Sequence, residues 1–154
     1  MYSSKRGGFT LVEILIVVVI LGILAAIVIP QFTNASETAK ASSLSSQLQT
    51  LRSQIELFQV QHNGDYPEIE SNWTVMLSAS DPTEHLAADV GDGPFGPYLQ
   101  EKPINPFTGG SDVAADDSAD WIYSSGTIKA VFPGTAQEAT DLGLDTTNDV
   151  TPTG

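Results

Sequence analysis

The 154-residue sequence contains no cysteine. Disulfides and thiolate metal sites are therefore excluded, and any exported domain must hold together by packing. Basic residues are scarce as well: 6 Lys and Arg stand against 19 Asp and Glu, a net charge of −13. Such a chain has no clustered cations for phosphate contacts, so no nucleic-acid contact is expected. Its charge favours solubility and makes copies repel one another. Catalytic signatures are missing too. There is no G-x-S-x-G elbow, no P-loop and no G-x-G-x-x-G after a strand. Nothing argues for an enzyme. His62 and His85 stand alone, without ligand spacing, and read as surface residues.

What is present is concentrated at the front. Residues 1–8, MYSSKRGG, are short and polar, with Lys5 and Arg6. Residues 9–29, FTLVEILIVVVILGILAAIVI, carry one charge, Glu13. A helix of that length spans roughly 31 Å, matching a hydrocarbon core of about 30 Å. Basic residues before it predict a cytoplasmic N-terminus and an exported C-terminal side. A secretory signal peptide would be shorter, with a small-residue cleavage site, whereas Ile29-Pro30-Gln31-Phe32 follows this run. A plain anchor would not explain Glu13, because a carboxylate at membrane depth costs about 2.5–3.5 kcal/mol. A cut between Gly8 and Phe9 would account for it. The cut creates an α-amino group one helical turn from Glu13, on the same chain or a neighbouring one, and pairing would relieve the buried charge.

The run Lys5-Arg6-Gly7-Gly8-Phe9-Thr10-Leu11-Val12-Glu13, followed by the apolar stretch and Pro30, closely resembles the type IV prepilin signal. That signal is shared by type IV pilins and the pseudopilins of type II secretion. The resemblance implies cleavage after Gly8 by a prepilin peptidase, N-methylation of Phe9 and use of Glu13 in filament assembly. It also implies a stem that can lose helicity around Pro30. Gly96-Pro97-Tyr98-Leu99 followed by Pro103-Ile104-Asn105-Pro106-Phe107 resembles the major pseudopilin of type II secretion.

Residues 31–62 lack Gly and Pro. Leu44, Leu48, Leu51, Ile55 and Phe58 recur at spacings of 4, 3, 4 and 3, one face of an amphipathic helix. Asn63-Gly64-Asp65-Tyr66-Pro67 supplies a stop. The spacing predicts one helix over about 9–62, continuing past Pro30, where a proline kinks the axis. Its apolar stripe is too short for a coiled coil and is expected to face the chain's own sheet. A short helical turn is expected at Trp73–Leu77, capped by Ser71 or Asn72. Trp121-Ile122-Tyr123 and Thr127–Phe132 flank Ser124-Ser125-Gly126, which predicts a hairpin. The polar, acidic residues 134–154 are expected to be exposed and partly disordered.

Asp112, Asp116, Asp117 and Asp120 crowd one loop, an oxygen density that suits Ca²⁺. A solvated acidic loop outweighs that reading, because the spacing does not match an EF-hand. Asp141, Asp145 and Asp149, spaced every four residues, are read the same way.

The expected fold is α+β and type IV pilin-like: a long N-terminal helix, half transmembrane, packed on a small antiparallel β-sheet. The expected divisions are a leader (1–8), a membrane and assembly helix (9–29), its amphipathic continuation (30–62), a periplasmic globular part (63–133) and the tail (134–154). The resemblance implies a bacterial inner-membrane protein, single-pass, with its C-terminal domain in the periplasm. It further implies a homo-oligomeric filament working with a prepilin peptidase and inner-membrane assembly machinery. The leading function is a structural subunit of a type II secretion pseudopilus that drives protein export. The alternative is a pilin of a surface fibre for adhesion, motility or DNA uptake.

Overall fold

The computed structural model describes residues 8–84, 86 and 91–154. Lys5, Arg6, Gly7 and His85 lie outside the described residues. The chain divides into two compact units, Met1–Glu37 and Thr38–Gly154.

The first unit is helical from Leu11, where helix α1, Leu11–Gln61, begins. Its apolar side chains are exposed, and α1 is the one helix among the described residues long and apolar enough to cross a membrane. Pro30 lies inside α1. Proline cannot donate to the carbonyl one turn back, so one rung of the ladder is missing there. Three residues on, the Thr33 hydroxyl donates to the Ile29 carbonyl at 3.3 Å.

The second unit holds the remainder of α1, the short helix α2 (Thr74–Leu77), strands β1 (Val113–Ala114), β2 (Trp121–Ser124) and β3 (Thr127–Phe132), helix α3 (Ala136–Asp141) and strand β4 (Val150–Pro152). The apolar stripe of α1 falls where its spacing puts it: Leu44, Leu48, Leu51, Ile55 and Phe58 are all buried. They share one core with Trp73, Trp121, Tyr123, Ile128 and Val150. Past α1, Asn63 and Gly64 take positive φ, 57° and 100°, which turns the chain out of the helix. Neither Ser71 nor Asn72 is the N-cap of α2: Trp73 holds that position without a side-chain cap bond, although the Asn72 carboxamide oxygen accepts the Thr74 N–H at 2.9 Å.

The hairpin forms with its turn one residue tighter than the three-residue reading. Ser124 pairs with Thr127, leaving Ser125 and Gly126 as a two-residue loop with φ of 47° and 85°. Positive φ at both positions matches the twist of the strands. A Cβ on Gly126 would collide with the Tyr66 ring, so glycine is required here for space as well.

The sheet is mixed rather than antiparallel. Its order is β1-β2-β3-β4; only β2–β3 is antiparallel, while β1–β2 and β3–β4 are parallel. A parallel neighbour needs a crossover, and the segment carrying α3 supplies one between β3 and β4. This also corrects the disordered tail. Thr135 and Glu138 form a capping box that starts α3. Ala139, Leu144 and Val150 are buried in the core. Three apolar anchors among acidic residues are enough to fold the segment down, because the acidic side chains between them stay in water.

His62 is likewise corrected from surface to core. It has no exposed area, stacks on Phe58 with ring centroids 3.7 Å apart, and bonds the Phe58 carbonyl through Nδ1 and the Ser80 hydroxyl through Nε2.

Candidate functional site

The residues marked by the N-terminal motif lie where α1 begins. Gly8, Phe9 and Thr10 are non-helical and exposed, and Leu11 opens the helix. Thr10 therefore occupies the N-cap and Glu13 the third helical position. The Thr10 hydroxyl accepts the Glu13 N–H at 3.2 Å. In return one oxygen of Glu13, Oε2, accepts from the Thr10 N–H at 3.3 Å and from its hydroxyl at 3.4 Å. The Ile14 N–H closes the first turn onto the Thr10 carbonyl at 3.3 Å. This is a capping box: two donors that a helix start would leave unpaired are satisfied reciprocally. Its carboxylate also sits at the positive end of the helix dipole. Sequence reasoning fixed on Glu13 and passed over Thr10, although the T-x-x-E spacing ahead of an apolar run was there to read. The Gly8–Phe9 peptide lies just upstream of this cap, outside the helix.

The acidic loop does not come together as a cation site. Asp120 accepts the Asp112 N–H at 2.9 Å and packs against Gly110, where a Cβ would strike its carboxylate. Asp116 accepts the Ser118 N–H at 3.1 Å, and its Ser118 hydrogen bonds hold its carboxyl below the usual range. Among the described residues no group of three or more carboxylate or imidazole side chains is placed to hold a metal.

The acidic groups of the last segment serve a different purpose. Asp145 accepts from the Thr147 and Asn148 N–H groups, and bonds led by the Asn148 side chain lower its pKa. Asp149 pairs with Arg52 at 2.9 Å. Arg52 also donates to the Asn148 carbonyl at 2.5 Å and the Ile128 carbonyl at 3.2 Å. One guanidinium on α1 thus ties down both β3 and the turn before β4. Nothing in the charge pattern singled out Arg52; its role depends on the fold bringing three distant oxygens together.

A third residue whose role was missed from sequence is Asn105. It is buried, donates to the Asp120 and Val131 carbonyls at 2.9 and 2.8 Å, and accepts the Phe107 N–H at 2.9 Å. It anchors the Pro103–Phe107 stretch to the sheet. Ser80 and His62 form a hydroxyl–imidazole pair at 3.0 Å, but both are fully buried, which suits a packing role. An open groove of about 520 Å³ lies between Ser43, Ser46, Gln47 and Thr50 on α1 and the loop from Leu99 to Ile104.

Residues 3–29 match the family described as the prokaryotic N-terminal methylation motif. Type II secretion system core protein G of Klebsiella pneumoniae is 32% identical over 109 residues, covering 71% of this chain and 73% of that protein. The protein of the same name from Escherichia coli (strain K12) is 34% identical over 107 residues, 68% of this chain and 69% of its own. The type IV major fimbrial protein FimA of Dichelobacter nodosus is 47% identical, but over 54 residues, 35% of either chain. No solved structure matches.

Proposed function

The chain belongs to the family of type II secretion system core protein G, the major pseudopilins, and on that premise we propose that it is a structural subunit of a type II secretion pseudopilus. The observation that carries this is coverage. The likeness to core protein G takes in more than two thirds of both chains, whereas the fimbrial likeness stops at about a third. The surface-fibre reading is correspondingly weaker. The role is structural rather than catalytic, in keeping with relatives named as core components of a secretion system.

The chain's own residues support a definite sequence of events. The apolar part of α1 anchors the precursor in the inner membrane, with the N-terminus cytoplasmic and the globular unit periplasmic. A prepilin peptidase cuts between Gly8 and Phe9, and Phe9 is N-methylated. The new amine and Glu13 then neutralise one another within a layer of packed helices, on one chain or between neighbours. Pairing is strongly favoured there because an unpaired charge at membrane depth is costly. Packed subunits form a head-to-tail filament, since a self-complementary contact would close into dimers. The assembled filament works with the inner-membrane secretion machinery.

The test is Glu13→Ala in the host bacterium. Insertion and leader removal should persist. Filament yield, read by crosslinks between cysteines placed at Ala26 and Thr33, should collapse together with export of the secretion substrates. Wild-type yield and export from this variant would end the assembly role of Glu13. Loss of surface-fibre motility with intact export would instead favour the fibre.

A further inference from the structure

The chain has five asparagines, and only Asn63 is followed by a glycine. We propose that Asn63 is a modification site: a deamidation gated by the hydrogen bonds that end α1.

The reaction needs only water. The Gly64 backbone nitrogen gives up its proton and attacks the side-chain carbonyl carbon of Asn63. The new C–N bond closes a five-membered imide, the bond to the side-chain nitrogen breaks, and ammonia leaves. Water then opens the imide at either carbonyl. One opening gives aspartate, the other isoaspartate, with one more carbon in the main chain. Glycine favours the attack because no Cβ shields its nitrogen. Asn63 and Gly64 are both exposed, and a Cβ built at Gly64 would meet nothing within 4 Å, so water reaches the site.

The fold holds both reacting groups off this course. Asn63 takes a left-handed φ of 57°, a conformation asparagine tolerates better than most residues. That turn sends the Gly64 N–H back to the Gln59 carbonyl at 2.9 Å, closing the helix end. The Gln59 side chain braces the turn by donating to the Gly64 carbonyl at 3.2 Å. The leaving amide is tied as well, because Asn63 Nδ2 donates to the Pro82 carbonyl at 3.1 Å. A nitrogen whose proton is bonded is a poor nucleophile, and an anchored side chain cannot turn its carbon toward it. Attack therefore waits for these three bonds to open. They lie at an exposed helix end, and such ends open far more often than a core does.

Either product alters the site. Aspartate adds a negative charge and sets a carboxylate against the Pro82 carbonyl, acceptor against acceptor. Isoaspartate lengthens the main chain inside the turn, where the Asp65 N–H donates to the His62 carbonyl at 2.9 Å. Pro82 is two residues from Ser80, the hydroxyl partner of buried His62, so deamidation loosens the segment that covers the end of α1.

The full-length chain in detergent is held in mildly alkaline buffer, and the product at Asn63 is followed by peptide mass and by enzymatic methylation of isoaspartate. Folded chain should deamidate about a hundredfold more slowly than chain unfolded in urea, the protection of three hydrogen bonds worth about fivefold each. Gln59→Ala removes one of the three. It should speed the folded rate about fivefold and leave the urea rate unchanged. Leu48→Ala weakens the core about four helical turns upstream and should leave the folded rate unchanged, because the gate is local. Equal rates in folded and unfolded chain would overturn the gating. So would a silent Gln59→Ala, or a Leu48→Ala that speeds the reaction as much. No product at Asn63, in urea or in the folded chain over the time the hundredfold ratio sets, would overturn the site itself.

Discussion

Tyr123 shows how a single residue can carry strain that the rest of the core tolerates. Its ring is buried, and its hydroxyl has no hydrogen-bond partner among the described residues. An unpaired buried hydroxyl costs about 1–3 kcal/mol against a satisfied one, and removing it can be neutral or stabilising. Tyr123→Phe should therefore match or exceed the parent in urea midpoint at neutral pH; a clear loss would mean the hydroxyl is bonded in solution. Burial also pushes the phenol up to about 12 from an ordinary 10.0. A raised acid favours its neutral form in the folded state, so this stabilisation is complete below pH 10 and lost as pH rises toward 12. The parent should weaken across that window. Tyr123→Phe should weaken less, the remainder coming in part from Tyr98, which burial also raises. Sequence placed Tyr123 on the first strand of the hairpin. It could not show that no acceptor waits there. His62 failed in the same way: a lone histidine after a helix looks solvent-facing until Ser80 and Phe95 close over it.

At the level of elements, periodicity was the reliable guide. The 4-3-4-3 spacing identified the buried face of α1, and all five of its residues have at most 2% exposure. Leu48→Ala should cost about 2–5 kcal/mol by chemical denaturation, the range for a fully buried leucine replaced by alanine. The hairpin was legible because Gly126 supplies a positive φ between two β-branched and aromatic runs. Gly126→Ala meets two obstacles, the left-handed backbone and the Tyr66 ring, and should destabilise by about 1–3 kcal/mol. A neutral result would show that Tyr66 swings away and the turn relaxes. β1 and β4 were not legible. They span two and three residues, too few for an alternation signal, and their parallel pairing depends on connections rather than on composition. The T-x-x-E spacing of Thr135 and Glu138 did announce α3, yet the acidic composition of the tail obscured it. Thr135→Ala should cost about 1 kcal/mol, the usual effect of losing a threonine cap.

Over the whole globular unit, hydrogen-bonded carboxylates set the acid limit. Asp81, Asp116, Glu138 and Asp145 are all held below their ordinary pKa, chiefly by bonds from Thr83, Ser118, Thr135 and Asn148. Depressed carboxylates stabilise the fold above their unfolded pKa and lose that contribution as pH falls through the folded value. The urea midpoint should hold from neutrality to about pH 5 and then decline, and Asp145→Asn should flatten part of the decline.

Assembly raises the charge question at its largest scale. On the proposed cleavage after Gly8, Lys5 and Arg6 would leave with the leader, and four basic against nineteen acidic side chains would remain, a side-chain charge of −15. Among the described residues only Arg52 is in an ion pair, and that pair is internal to the subunit. Identical acidic domains must then be brought together by apolar helices whose exposed residues run from Phe9 to Ile29. Attraction between apolar surfaces is insensitive to moderate salt, whereas repulsion between exposed charges is screened over about 10 Å at 0.1 M and 3 Å at 1 M. The purified, cleaved chain in detergent should therefore polymerise more readily as sodium chloride rises from about 0.05 to 0.5 M, followed by light scattering and the Ala26–Thr33 crosslink. A yield that falls with salt would mean that attractive ion pairs between subunits outweigh the repulsion. In that case Lys40, Lys102 and Lys129, which have no ion pair among the described residues, are the residues to reverse in charge first.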